Sequence, residues 1–128
     1  MPADRHPVLL NDGLKRHILG LETGERRRLR EKFAFLEHGF WDTGVRVKKL
    51  KGIGGRVVFE ARANRGDRLL FTLGPHRGRT AIYVWALVPH DDIGTAARRI
   101  SPADAPFLDF ASESEQDLAS LALDDAPP

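Results

Sequence analysis

Along residues 12–40 the apolar positions recur every three or four residues; from residue 44 they alternate. Leu14, Ile18 and Leu19 mark a short first helix, with Asp12 as its predicted cap and Gly20 as its stop. Thr23 is the predicted cap of a second, where Leu29, Phe33, Leu36 and Phe40 form one apolar stripe. Arg26, Arg27, Arg30 and Lys32 fall off that stripe, on the side expected to meet water. Gly39 and the following "DTG" close the helix. Residues 1–11, broken by Pro2 and Pro7, read as irregular.

Four segments then carry strand periodicity. "GVRVKKLKG" (44–52) places Val45 and Val47 on one face, and there Lys49 and Lys51 share a face with Lys48 on the other. "RVVFEARA" (56–63) aligns Val57, Phe59 and Ala61. "DRLLFTL" (67–73) aligns Leu69, Phe71 and Leu73. "RTAIYVWALVP" (79–89) is apolar on both faces, the mark of a central strand. Its Tyr83 and Trp85 share a face and read as core, with base stacking as the alternative. Glycine-rich "GIGG" and the "ANRGD" turn separate the first three strands. Ile93, Ala96, Ala97 and Ile100 then give a last amphipathic helix, with Asp91 or Asp92 as cap and Pro102 as stop. Trp41 is expected to seal the helix–sheet junction.

Helices followed by hairpin-linked strands define an α+β domain. The expected architecture is two N-terminal helices packed on a four-stranded, mainly antiparallel sheet, then a short C-terminal helix and an acidic tail. The expected divisions are an irregular N-terminus (1–11), a folded domain (12–102) and a tail (103–128). In the tail, Phe107, Leu108 and Phe110 are potential anchors, 112–123 a weak acidic helix bearing Leu118 and Leu121, and "DDAPP" a disordered end.

Charge sharpens this division. All 20 basic residues lie in 1–102, against 11 of the 18 acidic ones, a net charge of +9. The remaining seven acidic residues lie in 103–128 with no Lys or Arg. A basic body with an acidic tail points to a polyanionic partner, most simply nucleic acid. The chain has no cysteine, which removes disulfides, thiolate metal sites and Cys nucleophiles. His6, His17, His38, His76 and His90 are scattered without metal-ligand spacing, so neither metal nor cofactor is expected. "MPADRHPVLL" holds no apolar stretch of signal-peptide length, and no window reaches the length of a membrane span. A cytoplasmic protein with no membrane partner is the expectation.

The order of the motifs resembles the RelE/ParE superfamily of small bacterial toxins over about residues 12–100. A basic helix precedes the sheet, "VRVKKLKG" is similar to the family's first strand, "VVFEARANRGDRLLF" to its hairpin, and "IYVWALVPHDDI" to its last strand. A narrower resemblance links "ARANRGDRLLFTL", the His-Asp-Asp at 90–92 and "RRISPADAPFLDF" to the toxin-like domain at the front of some superfamily I DNA helicases. No Walker A sequence accompanies it, so no ATPase is visible.

The toxin resemblance implies a metal-free endoribonuclease acting on messenger RNA, on the ribosome, with an antitoxin partner. Metal-free scission needs a base for the 2′-hydroxyl, an acid for the leaving 5′-oxygen and cations for the phosphate. Glu60 is the candidate base, His90 the candidate acid, and Arg62 and Arg68 the phosphate clamps. Glu60 and Arg62, two apart on one strand, share a face. Lys48, Lys49, Lys51, Arg56, Arg65, Arg77 and Arg79 are the candidate nucleic-acid contacts. The helicase resemblance implies a non-catalytic nucleic-acid-binding or regulatory module with a helicase partner; a gyrase-inhibiting toxin is a third option within the fold. A cross-strand Glu–Arg ion pair and an anti-aggregation lysine edge are the structural alternatives for these residues. The acidic tail is expected to dock back on the basic body, as antitoxin segments do in the family.

Overall fold

The computed structural model describes residues 6–42, 44–103 and 110–113. Its elements run β1 (Val8–Asn11), α1 (Asp12–Leu19), α2 (Thr23–Glu37), β2 (Lys48–Lys49), β3 (Phe59–Arg62), β4 (Asp67–His76), β5 (Arg79–Pro89), α3 (Ile93–Arg98) and β6 (Phe110–Glu113). A 3-10 turn, His90–Asp92, leads into α3. The class is α+β. The sheet has six strands in the order β2-β3-β4-β5-β1-β6, not the expected four. All neighbours are antiparallel except β1, which runs parallel to β5.

The two added strands come from segments without alternation. Val8, Leu9 and Leu10 are all fully buried, because an interior strand between β5 and β6 is covered on both faces. Pro7 stands just before it and interrupts nothing: its carbonyl accepts Ile82 N at 2.8 Å. Residues 112 and 113 belong to β6 rather than to an acidic helix. The sheet therefore draws in residues on both sides of the expected 12–102 division. Phe107, Leu108, Leu118, Leu121 and "DDAPP" lie outside the described residues.

Both faces of the sheet are covered. α1 and α2 lay Leu14, Ile18, Leu29, Phe33 and Leu36 over Leu10, Ala61, Leu69, Phe71, Ile82 and Val84. On the opposite face α3 and the residue pair after it lay Ile93, Ala96, Ala97 and Ile100 over Val58, Leu70, Ala86 and Val88. The predicted α3 stripe is thus packed against the sheet, but α3 does not share a face with the other helices. A bulge lets β5 serve both layers: Leu70 pairs with Ala86 and Phe71 with Val84, leaving Trp85 as the extra residue. Its indole N–H donates to Thr72 Oγ1 at 2.9 Å. Tyr83 is core as read; its hydroxyl donates to the Pro75 carbonyl at 2.6 Å, and burial pushes its pKa up.

Three local expectations are corrected. Asn11, not Asp12, caps α1: its Oδ1 accepts Leu14 N at 2.8 Å while its Nδ2 donates to the Trp85 carbonyl. Arg26 is 1% exposed rather than solvated. Its guanidinium donates to Leu19 O, a carbonyl that α1 leaves without an intrahelical donor. Finally, α2 ends at Glu37, and Gly39 at φ 81° turns the chain, so Phe40 stands 60% exposed. Trp41 takes its place inside, its ring against Phe59 and Phe71 and its N–H donating to Leu36 O at 3.0 Å.

Candidate nucleic-acid interface

Register decides which side chains meet. Lys48 pairs with Glu60, Glu60 with Leu70, and Arg62 with Arg68, which in turn pairs with Val88. Directly paired residues project to the same face. Lys48, Glu60, Arg62 and Arg68 therefore share the face covered further along by α3. Lys49 pairs with Phe59 and belongs to the opposite face. Lys51 lies beyond the end of β2, in the loop carrying Gly52, Gly54 and Gly55 at positive φ. Of the three lysines, Lys48 alone stands in the row of Glu60.

The turn after β3 is built by its own side chains. Asn64 Oδ1 accepts from Gly66 N at 2.9 Å and Asp67 N at 2.8 Å, and Asp67 Oδ2 accepts from Asn64 Nδ2 at 3.0 Å. Arg68 closes it: one guanidinium nitrogen donates to the carbonyls of Asn64, Arg65 and Asp67 at 3.2, 3.3 and 3.0 Å. The expected phosphate clamp is thus already engaged with the backbone. Arg65 projects from the tip of this turn and is exposed.

Sequence reading missed Arg46. It has φ 44°, left-handed for a non-glycine residue, and it directly follows Val45, whose carbonyl accepts Arg62 N at 2.6 Å. This strained residue stands just before β2, beside Arg62. Its signal was present in "VRVK", where Arg46 alternates in phase with Lys48. Arg46, Lys48, Glu60, Arg62 and Arg65 have no ion pair or side-chain hydrogen bond among the described residues. The cross-strand ion pair offered as the alternative for Glu60 is not formed.

His90 lies at the same end of the sheet, its amide donating to Gly66 O at 2.8 Å. It is exposed, with Nδ1 3.7 Å from Asp91 Oδ1. Glu60 stands level with Ala86 in the ladder, so His90 is two strands across and four residues along. At about 4.8 Å per strand and about 3.3 Å per residue, their backbones are about 16 Å apart. The structure brings Arg46, Lys48, Glu60 and Arg62 together and sets Arg65, at the tip of the turn, and His90 at their margin.

Three further candidates fall elsewhere. Arg56 binds backbone: its Nε donates to Ile53 O at 3.2 Å and its Nη1 to Ile100 O, tying the glycine loop to the end of α3. Arg77 and Arg79 sit at the opposite end of the β4–β5 hairpin: Arg79 pairs with His76, eight residues along β4 from Arg68 and hence about 26 Å away. They do not extend the patch. Of the acidic segment, the described residues Phe110–Glu113 lie apart from this patch. Phe110 packs its ring edgewise on Tyr83 and Trp85 at 5.1 and 5.0 Å, and β6 pairs with β1 at the sheet edge opposite β2.

Among the described residues no three His, Asp or Glu side chains form a metal-sized group, and no helix is long and apolar enough to cross a membrane. Fold and site together define a small α+β domain with one cationic sheet edge. No family model, curated protein or solved structure matches the chain.

Proposed function

We propose that the chain is a RelE/ParE-like domain that binds nucleic acid, RNA in particular, through the edge formed by β2, β3 and the β3–β4 turn. One observation carries this reading. Arg46, Lys48 and Arg62 crowd the exposed sheet edge, and none has an ion-pair partner among the described residues. Like charges held side by side repel one another, and a phosphate backbone relieves that repulsion while releasing its own counterions.

A second reading adds scission, with Glu60 as base, His90 as acid and Arg62 and Arg68 as clamps. The unpaired carboxylate among cations favours it. Two facts favour binding alone. Base and acid must each reach atoms of one phosphate, yet Glu60 and His90 stand in separate rows. One nitrogen of the Arg68 guanidinium, Nη1, is also already engaged with the turn, which holds the side chain against the backbone. Binding without chemistry suits a module that serves a helicase or another nucleic-acid machine.

Induced expression of wild type, Glu60→Gln and His90→Gln, with transcript integrity as the readout, separates the two readings. Intact transcripts in all three are expected, alongside RNA binding by the purified wild type. Cleavage by wild type that disappears in both variants replaces the binding reading with a ribonuclease.

A further inference from the structure

A highly charged cavity stands away from Glu60. It lies on the other side of the β3–β4 turn, between that turn and the first turn of α2. It measures about 430 Å³ and is lined by Glu22, Glu25, Arg28, Ala63, Asn64 and Arg65. That volume falls within the range of small-ligand sites. Two carboxylates and two guanidiniums face one space, yet no ion pair joins them among the described residues. One wall is rigid, because the Asn64 and Arg68 hydrogen bonds fix the turn. Asn64 has its side chain committed there, which leaves the four charged groups to meet a ligand.

The pairing of acid and base types selects among the nucleobases. A guanidinium reads two adjacent acceptors, and guanine offers O6 and N7. A carboxylate reads N–H donors, and guanine's opposite edge offers N1–H and the N2 amino group. Adenine presents one donor and one acceptor on each edge, the pattern for Asn or Gln rather than for Glu and Arg. Both edges of a guanine are free only when it is unpaired, as in single-stranded RNA. The carboxylates also repel phosphate from the cavity, so a base enters while its backbone stays on the cationic side of the turn. Arg65, at the tip of the turn, lines the cavity three residues beyond Arg62, so one strand can reach both places.

We infer that this cavity holds an unpaired guanine of a bound RNA strand, with Glu22 and Glu25 on its donor edge and Arg28 and Arg65 on its acceptor edge. The inference rests on the RNA-binding reading above.

The test compares a ten-nucleotide uridine-only RNA with the same strand carrying one central guanosine, and adds GMP and UMP alone. Wild type is expected to bind the guanosine strand on the order of tenfold more tightly. Glu22→Gln/Glu25→Gln removes that preference and leaves affinity for the uridine strand within about twofold. GMP, and not UMP, shifts the backbone amide signals of residues 63–65. Equal affinity for both strands with no GMP response overturns the pocket and leaves strand binding intact. A GMP response without binding of either strand keeps the pocket and overturns the RNA reading. Silence from all four probes overturns both. Occupancy by arginine amide and not by GMP assigns the cavity to a basic peptide and overturns the inference.

Discussion

Phe71→Ala is expected to lower the unfolding free energy by about 3–5 kcal/mol. Phe71 is fully buried beneath α2, stacked on Phe59 at 5.3 Å with the rings 16° apart. Trp41 meets the same ring edgewise at 5.5 Å. Truncation loses the transfer energy of one large side chain, opens a cavity and removes two aromatic pairs worth about 0.5–1.5 kcal/mol each. Against a total stability of about 5–15 kcal/mol, this is a large share. The midpoint of thermal unfolding should fall by roughly 10–20 °C. Val57, 45% exposed just before β3, gives the contrast: Val57→Ala should stay within about 0.5 kcal/mol. Circular dichroism melts of both variants check this. A Phe71→Ala loss below about 1 kcal/mol contradicts the ring trio as the centre of the fold.

Neutralising the edge gives the largest functional effect. The variant Arg46→Gln/Lys48→Gln/Arg62→Gln removes three cations whose side chains bond nothing else among the described residues. Its fold should therefore survive. Each phosphate neutralised on a single strand contributes about 0.7 to the slope of log affinity against log salt. Without these three cations that slope should flatten by about 2. At about 0.1 M salt the same relation gives a loss on the order of 100-fold in affinity for single-stranded RNA. Fluorescence anisotropy over a salt series reads both quantities. The matching control is Arg77→Gln, at the far end of the β4–β5 hairpin, which should change little.

Where amphipathic periodicity was strong, sequence and structure agree. α2, α3 and the β3–β4–β5 meander stand where alternation or helical spacing put them, and the Glu60/Arg62 face follows from strand geometry alone. Val8–Leu10 escaped because a strand buried on both faces has no alternation to read. The Trp85 bulge reversed the inside–outside parity along β5 without any breaker residue to announce it. Arg56 and Arg68 look like phosphate ligands in one dimension, and only coordinates reveal the carbonyls they hold. Arg77 and Arg79 were grouped with the patch by composition, although a ten-residue β4 strand carries them away. Alternation separated Lys48 from Lys49, but only the register shows that Lys48 is the one on the Glu60 face. The Glu22/Glu25/Arg28 wall was invisible because its other half, Ala63 to Arg65, is more than thirty residues distant in sequence.

Amide chemical-shift mapping of the wild-type protein with a uridine-only RNA tests the cationic edge most directly. Shifts gathered at residues 46–48, 60–68 and 90 are the predicted result. Shifts gathered instead at the Arg77–Thr80 hairpin end or along β6, or no shifts at an RNA concentration that saturates other single-strand binders, contradict it.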